Sequence, residues 1–165
     1  MNNEKGTRKI VIAGGTGMIG RHLSNYLVDC GYRIIILTRR RNDRSSSGIR
    51  CVQWNAESAG SWCEEPEDAF AVINLCGESI AGARWTDKRK HEILRSRIVP
   101  LRALVAAVNA ARTPPKAFLQ ASGVGYYGTG EDERIEKSPI GQDFLAELAA
   151  KWEEPLSDLP IRSVI

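Results

Sequence analysis

KIVIAGGTGMIG, residues 9–20, decides the fold of this 165-residue chain. Its first half carries Ile10, Val11 and Ile12, an apolar run typical of a strand that is buried on both faces. Glycines follow at positions 14, 15, 17 and 20, and an amphipathic segment starts at Met18. A buried strand, a glycine-rich turn and a helix in this order predict the first β-α unit of a parallel sheet.

Apolar runs alternate with amphipathic stretches along the rest of the chain, which indicates further β-α units. Strands are predicted over residues 9–13, 33–37, 50–54, 69–75, 116–121 and 161–165, and helices over residues 18–30, 86–111 and 141–154. Pro100 lies inside the second helix, where its missing N–H predicts a kink or a break. The pattern predicts an α/β fold, a Rossmann-type doubly wound parallel sheet that forms one domain over residues 1–165.

Each predicted helix is expected to bury one apolar face against the sheet. In the first helix this face is predicted to hold Ile19, Leu23, Leu27 and Cys30. The long helix is expected to bury a larger set: Ile93, Leu94, Ile98, Leu101, Leu104, Val105 and Val108.

The composition is that of a globular protein, with 42% hydrophobic and 26% charged residues. A net charge of +3 is too small to imply a nucleic-acid or membrane partner. No apolar run approaches the ~20 residues that span a bilayer, and residues 1–9 are too polar for a signal peptide. We therefore expect a soluble, cytoplasmic protein.

Four cysteines stand at positions 30, 51, 63 and 76 without a C-x-x-C pair, and only two histidines accompany them. This spacing does not suit a metal centre. We expect reduced, mostly buried thiols and no metal site.

The glycine turn fits a phosphate-binding loop. Gly14, Gly17 and Gly20 satisfy G-x-x-G-x-x-G, which allows a tight turn, a close approach of the backbone to a pyrophosphate and close packing of helix on strand. The start of the helix at Met18 and Ile19 offers unpaired N–H groups and a partial positive charge. These five residues are predicted to hold the pyrophosphate of a dinucleotide; a purely structural turn is the alternative.

Thr38-Arg39-Arg40 ends the second strand, where an NAD-preferring site usually places an acid on the ribose. The first acid, Asp43, comes later. Guanidinium groups at this place would pair with the 2′-phosphate of NADP, each charge-assisted bond contributing about 1.5–3 kcal/mol. The predicted cofactor is therefore NADP(H), and a solvated basic loop is the alternative.

A basic run on the long helix raises the possibility of nucleic-acid binding. Asp87 and Glu92 interrupt it, and Trp85 is the only aromatic residue beside it, so a solvated helix face is the better interpretation. We expect no nucleic-acid partner. The run comprises Arg84, Lys88, Arg89, Lys90, Arg95, Arg97 and Arg102.

Several further motifs occur in order: VINLCGE (72–78), RWT (84–86), RK (89–90), SRI (96–98), ASGVGYYG (121–128), DFLA (143–146) and WE (152–153). Together with the glycine turn they resemble the atypical short-chain dehydrogenase/reductases known as epimerase family proteins, a branch of the NAD-dependent epimerase/dehydratase superfamily. The resemblance covers nearly the whole chain from Lys9 onward.

The resemblance implies roles for matching positions. Thr38 and Arg39 would flank the phosphate on the adenosine ribose, and Asn74 with Leu75 would line the cofactor cleft. Glu92 and Arg97 on the long helix would reach the cofactor from the other side; an exposed ion pair on a charged helix face is the alternative.

The usual acid–base machinery of this superfamily is missing. No tyrosine is followed by a lysine four residues later, the arrangement that would acidify the phenol. Gly123 falls where related epimerases place a serine. Ser122 could still orient a substrate hydroxyl, and Tyr127 is the second catalytic candidate. Tyr126 and Tyr127 could equally be aromatic walls near the nicotinamide, or core.

Members of the superfamily carry a further C-terminal portion that closes over the substrate, whereas this chain stops on an apolar run at Ile165. We expect a fold truncated before that portion. The predicted function is an NADP(H)-binding oxidoreductase or nucleotide-sugar epimerase-like protein that acts on an unidentified small molecule. A non-catalytic NADP(H)-binding sensor or interaction module is the alternative, and the oligomeric state, including a homodimer, is left open.

Overall fold

Six parallel strands form one sheet in the computed structural model, which describes residues 8–40 and 46–165. The strands are β1 Lys9–Ala13, β2 Arg33–Thr38, β3 Ile49–Gln53, β4 Ala71–Asn74, β5 Ala117–Gln120 and β6 Arg162–Val164. The α-helices are α1 Met18–Asp29, α2 Asp87–Ala110 and α3 Phe144–Glu153. Short 3-10 helices cover Ser61–Glu64, Val124–Tyr127 and Glu154–Asp158. The predicted Rossmann-type parallel sheet is confirmed.

The strand order, β3-β2-β1-β4-β5-β6, reverses between β1 and β4. From β1 the chain builds the sheet in one direction, and from β4 it builds in the other. The loops that follow β1 and β4 therefore diverge and leave a crevice at the edge where the strands end, which we call the carboxyl edge. In open α/β sheets this crevice is where ligands bind.

Alternating side chains of the strands fill a hydrophobic layer on each face of the sheet. One layer holds Ile10, Ile12, Ile34 and Ile36 and packs against α1. The other packs against α2 and α3 and includes Val11, Ile35, Leu37, Val72, Phe118, Leu101, Leu104 and Trp152. Because helices cover both faces of the sheet, the strands are buried on both sides and appear in the sequence as continuous apolar runs.

The predicted apolar face of α1 is partly wrong. Ile19 is 63% exposed and Cys30 is also exposed, whereas Leu23 and Leu27 are half-buried. The buried residues of α1 are instead Gly20 and Ser24. Small residues let this helix approach the sheet closely, which turns Ile19 outward.

The long helix α2 runs unbroken through the buried Pro100, so of the predicted kink or break, the break is wrong. Thr86 caps its start, with Oγ1 accepting the N–H of Arg89 at 3.2 Å. Of the predicted face, Leu94 and Ile98 are half-buried and the rest are buried. The buried residues of this face hold α2 against the sheet on both sides of the proline.

Element ends differ from prediction by a few residues, and the three 3-10 helices were not predicted. The helix predicted from residue 141 begins at Phe144, because the carboxylate of Asp143 caps it by accepting the N–H of Ala146 at 2.9 Å. Residues 41–45 of the predicted basic loop, with Asp43, lie outside the described residues.

The cysteines are less buried than expected, since Cys30 is exposed and the other three are half-buried. All four are free thiols. Within residues 8–40 and 46–165, no cluster of histidine, cysteine and acidic side chains could hold a metal ion. No helix in this part of the chain is long and apolar enough to cross a membrane.

Candidate functional site

A cleft of about 1310 Å³ opens at the carboxyl edge of the sheet. The glycine turn, the end of β2, the segment after β4 and the first half of α2 form its walls. Seven of the predicted site residues line it together: Gly14, Gly17, Thr38, Arg39, Arg40, Leu75 and Glu92. The topology thus collects residues from four elements in one place.

The glycine turn packs so tightly that side chains would not fit. Gly14 has φ of 79°, and a Cβ there would lie 2.8 Å from the carbonyl of Leu75. A Cβ on Gly20 would lie 2.5 Å from the carbonyl oxygen of Gly14. The turn between β1 and α1 therefore presents bare backbone to the cleft.

The start of α1 leaves amide groups available for a ligand. Gly17 is its N-cap, and no side-chain cap bond satisfies the first turn. Met18 and Ile19 follow with 72% and 63% of their surfaces exposed, although neither residue belongs to the cleft lining. Unpaired N–H groups at a helix start attract anions.

Thr38 fixes the turn that follows β2. Its buried Oγ1 accepts the N–H of Arg40 at 3.2 Å, and both Arg39 and Arg40 are exposed. Burial raises the pKa of the Cys76 thiol to about 12, although the nearby Arg39 guanidinium acts in the opposite direction. The Cys76 thiol therefore stays protonated and neutral at physiological pH.

Charges are unevenly distributed around the cleft. On the α2 side, Arg95 forms an ion pair with Glu57 at 2.7 Å, and Arg89 lies 3.4 Å from Glu92 and 3.6 Å from Glu78. On the α1 and β2 side, Arg21, Arg39 and Arg40 line the cleft, and no carboxylate among the described residues lies within 4.0 Å of them. The cleft thus has one neutralised half and one cationic half.

An arginine and a serine on α2 also hold the loop that follows β4. The Nη2 of Arg89 donates to the carbonyl of Ser79 at 2.5 Å. The N–H of Glu78 donates to Oγ of Ser96 at 3.0 Å. Both bonds fix the loop as one wall of the cleft.

Arg97 lies outside the cleft lining, in contrast to Glu92. Its guanidinium donates to the carbonyls of Glu78 and Ile93, each at 3.1 Å, and lies 5.1 Å from the ring centroid of Trp152. Burial lowers the pKa of Arg97, and Glu78 partly offsets this. The alternative of an exposed Glu92–Arg97 ion pair is wrong, because Glu92 pairs with Arg89.

Asn74 lies beneath the cleft rather than in its wall. Its side chain is fully buried, with Nδ2 donating to Oε1 of Gln120 at 2.9 Å and Oδ1 accepting the N–H of Cys76 at 3.1 Å. The side chain joins β4 to β5 and shapes the backbone after β4. Its neighbour Leu75 does reach the cleft.

Ser122 and Tyr127 follow β5 and are half-buried, outside the cleft lining. The Oγ of Ser122 donates a short hydrogen bond to the carboxylate of Glu153 at the end of α3. The rings of Tyr126 and Tyr127 meet edge to face, with centroids 5.2 Å apart. Because its proton is committed to Glu153, Ser122 can only accept a further hydrogen bond.

Several residues of the cleft were missed by sequence reasoning. Arg21 directly follows the glycine motif, and this adjacency was a usable signal. Glu57 and Arg95 are 38 residues apart and are brought together only by the fold. Outside the cleft, the same is true of Glu153, the partner of the predicted Ser122. No spacing pattern in the sequence marks such pairs.

The comparisons with known proteins agree with this architecture. A family model described as "NAD dependent epimerase/dehydratase family" matches residues 10–145. Epimerase family protein YfhF of Bacillus subtilis (strain 168) is 37% identical over 148 residues, covering 88% of this chain and 48% of the relative. This chain thus spans about half the length of the curated relatives it matches.

Two solved structures share the fold. Human epimerase family protein SDR39U1, crystallised with NADPH, is 29% identical, with a TM-score of 0.77 over 94% of this chain and 51% of that one. A nucleoside-diphosphate sugar epimerase from Corynebacterium glutamicum is 28% identical, with a TM-score of 0.75 over 95% of this chain and 32% of that one.

Proposed function

Because this chain belongs to the NAD dependent epimerase/dehydratase family, we propose that it binds NADP(H) in the cleft at the carboxyl edge. One observation carries the proposal: the bare backbone of the glycine turn that leads into α1 and arginines that no described carboxylate neutralises line the same cleft. The amides suit a pyrophosphate and the arginines suit a phosphomonoester. The NADPH in the human relative's crystal supports this choice of cofactor.

The roles of individual residues follow from their positions. Gly14, Gly17 and Gly20 let the backbone approach the pyrophosphate, which the amides of Met18 and Ile19 would bind. Thr38 holds the turn that presents Arg39 and Arg40 to the ribose phosphate. Residues 1–165 would act as one nucleotide-binding domain.

Other predicted residues would act at the cleft or indirectly. Leu75 lines the cleft, and Glu92 lines it from α2 while paired to Arg89. Asn74 and Arg97 would shape the segment after β4 through their hydrogen bonds to Cys76 and Glu78.

We further propose oxidoreductase or epimerase chemistry on a small molecule that carries a hydroxyl group. Ser122 would accept a hydrogen bond from that hydroxyl, since Glu153 takes its own proton. Tyr127 is the second candidate on the same segment. The bound nicotinamide would supply hydride transfer.

A non-catalytic NADP(H) sensor is the second candidate, and α3 favours it. At the spacing of a tyrosine–lysine pair this helix carries Glu147 and Lys151, an exposed ion pair that has no phenol to acidify. Loss of NADPH absorbance with a panel of carbonyl compounds would contradict the sensor, whereas tight binding without turnover would support it.

Thermal unfolding tests the binding proposal directly. NADPH at about 100 times its Kd should stabilise the chain by about 2.7 kcal/mol and raise Tm by roughly 5–10 °C. Replacing Arg39 and Arg40 together by methionine should abolish most of the preference for NADPH over NADH.

The matched control replaces Arg84 and Arg102, two exposed arginines outside the cleft lining, and should leave the preference unchanged. No shift with either dinucleotide at millimolar concentration would contradict the proposal. A larger shift with NADH would contradict only the choice of NADP(H).

A further inference from the structure

Arg21 has no role in the function proposed above, yet its side chain lines the cleft. We infer that Arg21 is a third ligand of the phosphate on the adenosine ribose, and that it sets the preference for NADP(H) over NAD(H) together with Arg39 and Arg40. The inference rests on the proposed function. It assigns the specificity to α1 as well as to the end of β2.

The first step is the position of Arg21. It lies one helical turn beyond Gly17, and its N–H donates to the carbonyl of Gly17 at 3.0 Å. Residues four apart share a helix face, so Arg21 stands beside the amides that would hold the pyrophosphate. A cation placed there can reach a second phosphate of the same ligand.

The second step is the contact between the turn and β2. A Cβ on Gly15 would lie 2.8 Å from the side chain of Ile36, so the glycine turn that leads into α1 rests directly on β2. Two residues after Ile36 comes Thr38, which holds the turn that carries Arg39 and Arg40. Arginines from two elements, Arg21 on α1 and Arg39 and Arg40 after β2, therefore line the same cleft.

The third step is charge balance. Like charges that share one part of a cleft repel each other, and a bound anion removes that repulsion. The arginines opposite, Arg89 and Arg95, already have carboxylate partners. A dianionic phosphate is consequently drawn to the half of the cleft that holds Arg21, whereas the neutral 2′-hydroxyl of NAD gains nothing there.

The fourth step is a division of roles. Arg39 and Arg40 lie on the turn after β2, which Thr38 holds. Arg21 instead projects from a regular helix, whose backbone needs no rearrangement when a ligand binds. A ligand held on a rigid element is preorganised, which favours a specificity-determining role.

Calorimetric titration with NADPH and NADH tests the inference on the full chain. Arg21→Met should weaken NADPH binding about tenfold and leave the Kd of NADH within about twofold, because one charge-assisted bond is lost with the phosphate alone. Arg21→Lys should restore part of the loss. Arg33→Met is the matched control. Arg33 is exposed and starts β2 at the opposite edge of the sheet, and its replacement removes the same positive charge.

Different outcomes overturn different statements. Equal weakening of NADPH and NADH by Arg21→Met would place Arg21 on the shared pyrophosphate and overturn the inference. Unchanged binding of both dinucleotides would also overturn the inference. So would an equal loss of NADPH affinity in Arg33→Met, because the effect would then come from net charge alone. If the unsubstituted chain bound neither dinucleotide, the proposed function itself would fail.

Discussion

Gly20 has no room for a side chain. A Cβ there would lie 2.5 Å from the carbonyl oxygen of Gly14 and 2.6 Å from Cα of Gly15, both rigid backbone atoms. Alanine would gain about 1 kcal/mol of helix propensity but would cost about 1–3 kcal/mol through overpacking. In Gly20→Ala, the net loss of up to about 2 kcal/mol should lower Tm by up to about 8 °C, as measured by calorimetry, and titration should show weaker NADPH binding.

Gly82 provides the control for this prediction. No atom lies within 4 Å of a Cβ built there, and its φ is not in the left-handed region. Gly82→Ala should therefore change the unfolding free energy by less than about 0.5 kcal/mol. Equal effects of the two substitutions would show that packing at the glycine turn is not the cause.

At the level of single residues, the sequence predicted the glycines of the turn, where backbone conformation and the lack of a side chain decide the geometry. Gly14 and Gly17 could be predicted because a phosphate-binding turn needs glycine at fixed spacing. The side-chain partners of Arg97 and Asn74 could not be predicted, because they come from elements distant in the sequence. Their contacts, Trp152 and Gln120, become neighbours only when the sheet and helices pack.

Among the elements, α2 connects the cleft to the rest of the fold, and Arg97 is one of its contacts with α3. Arg97→Met removes two hydrogen bonds to carbonyls and the contact with Trp152. We expect the unfolding free energy to fall by about 1–3 kcal/mol while the Kd for NADPH changes less than about twofold. Denaturant titration and calorimetry measure the two quantities.

Arg102 on the same helix is the matched control, because it is exposed. Arg102→Met should be nearly neutral in both measurements. The opposite pattern for Arg97→Met, a large loss of affinity at unchanged stability, would place Arg97 on the cofactor, as the family resemblance implied.

The elements themselves were largely predictable, since every strand and α-helix lies within a few residues of its prediction. Periodicity succeeded where apolar side chains do the packing, as at Leu101 and Leu104 of α2. It failed at Ile19, because α1 rests on Gly20 and Ser24, and small residues carry no hydrophobic signal. The interruption expected at Pro100 was wrong, because packing on both sides keeps α2 continuous.

In the whole molecule, the cleft lies at the carboxyl edge of the sheet. At the opposite edge, hydrogen bonds join two segments of the chain. There the carboxylate of Glu67 accepts the N–H groups of Thr113 at 2.6 Å and of Arg112 at 2.9 Å. These bonds hold the pKa of Glu67 below its usual range. Glu67 thus joins the segment before β4 to the segment before β5, far from the cleft.

This bonding predicts a pH dependence of stability. The folded-state pKa of Glu67 is depressed, so its stabilisation is present above the unfolded-state pKa of about 4.3 and is lost as the pH falls through the lower folded-state value. The Tm difference between the unsubstituted chain and Glu67→Gln should be largest near pH 7 and should shrink below about pH 4. Thermal unfolding across this pH range measures it.

Glu147→Gln serves as the comparison, because Lys151 on the exposed face of α3 chiefly lowers the pKa of Glu147. Its effect should be smaller and should vanish in high salt. If the Tm difference between the unsubstituted chain and Glu67→Gln stayed constant down to pH 3, the stabilisation could not be assigned to the ionised carboxylate of Glu67.

The unequal charges of the cleft also give it a direction. A long ligand whose two ends carry different amounts of negative charge could enter in two orientations. One brings its more anionic end to Arg21, Arg39 and Arg40, whereas the reverse brings that end to the half where Glu57, Glu78 and Glu92 already pair with Arg95 and Arg89. The electrostatic field of these side chains extends several ångströms into solvent. An approaching ligand is therefore oriented with its more anionic end toward the arginines before any contact forms.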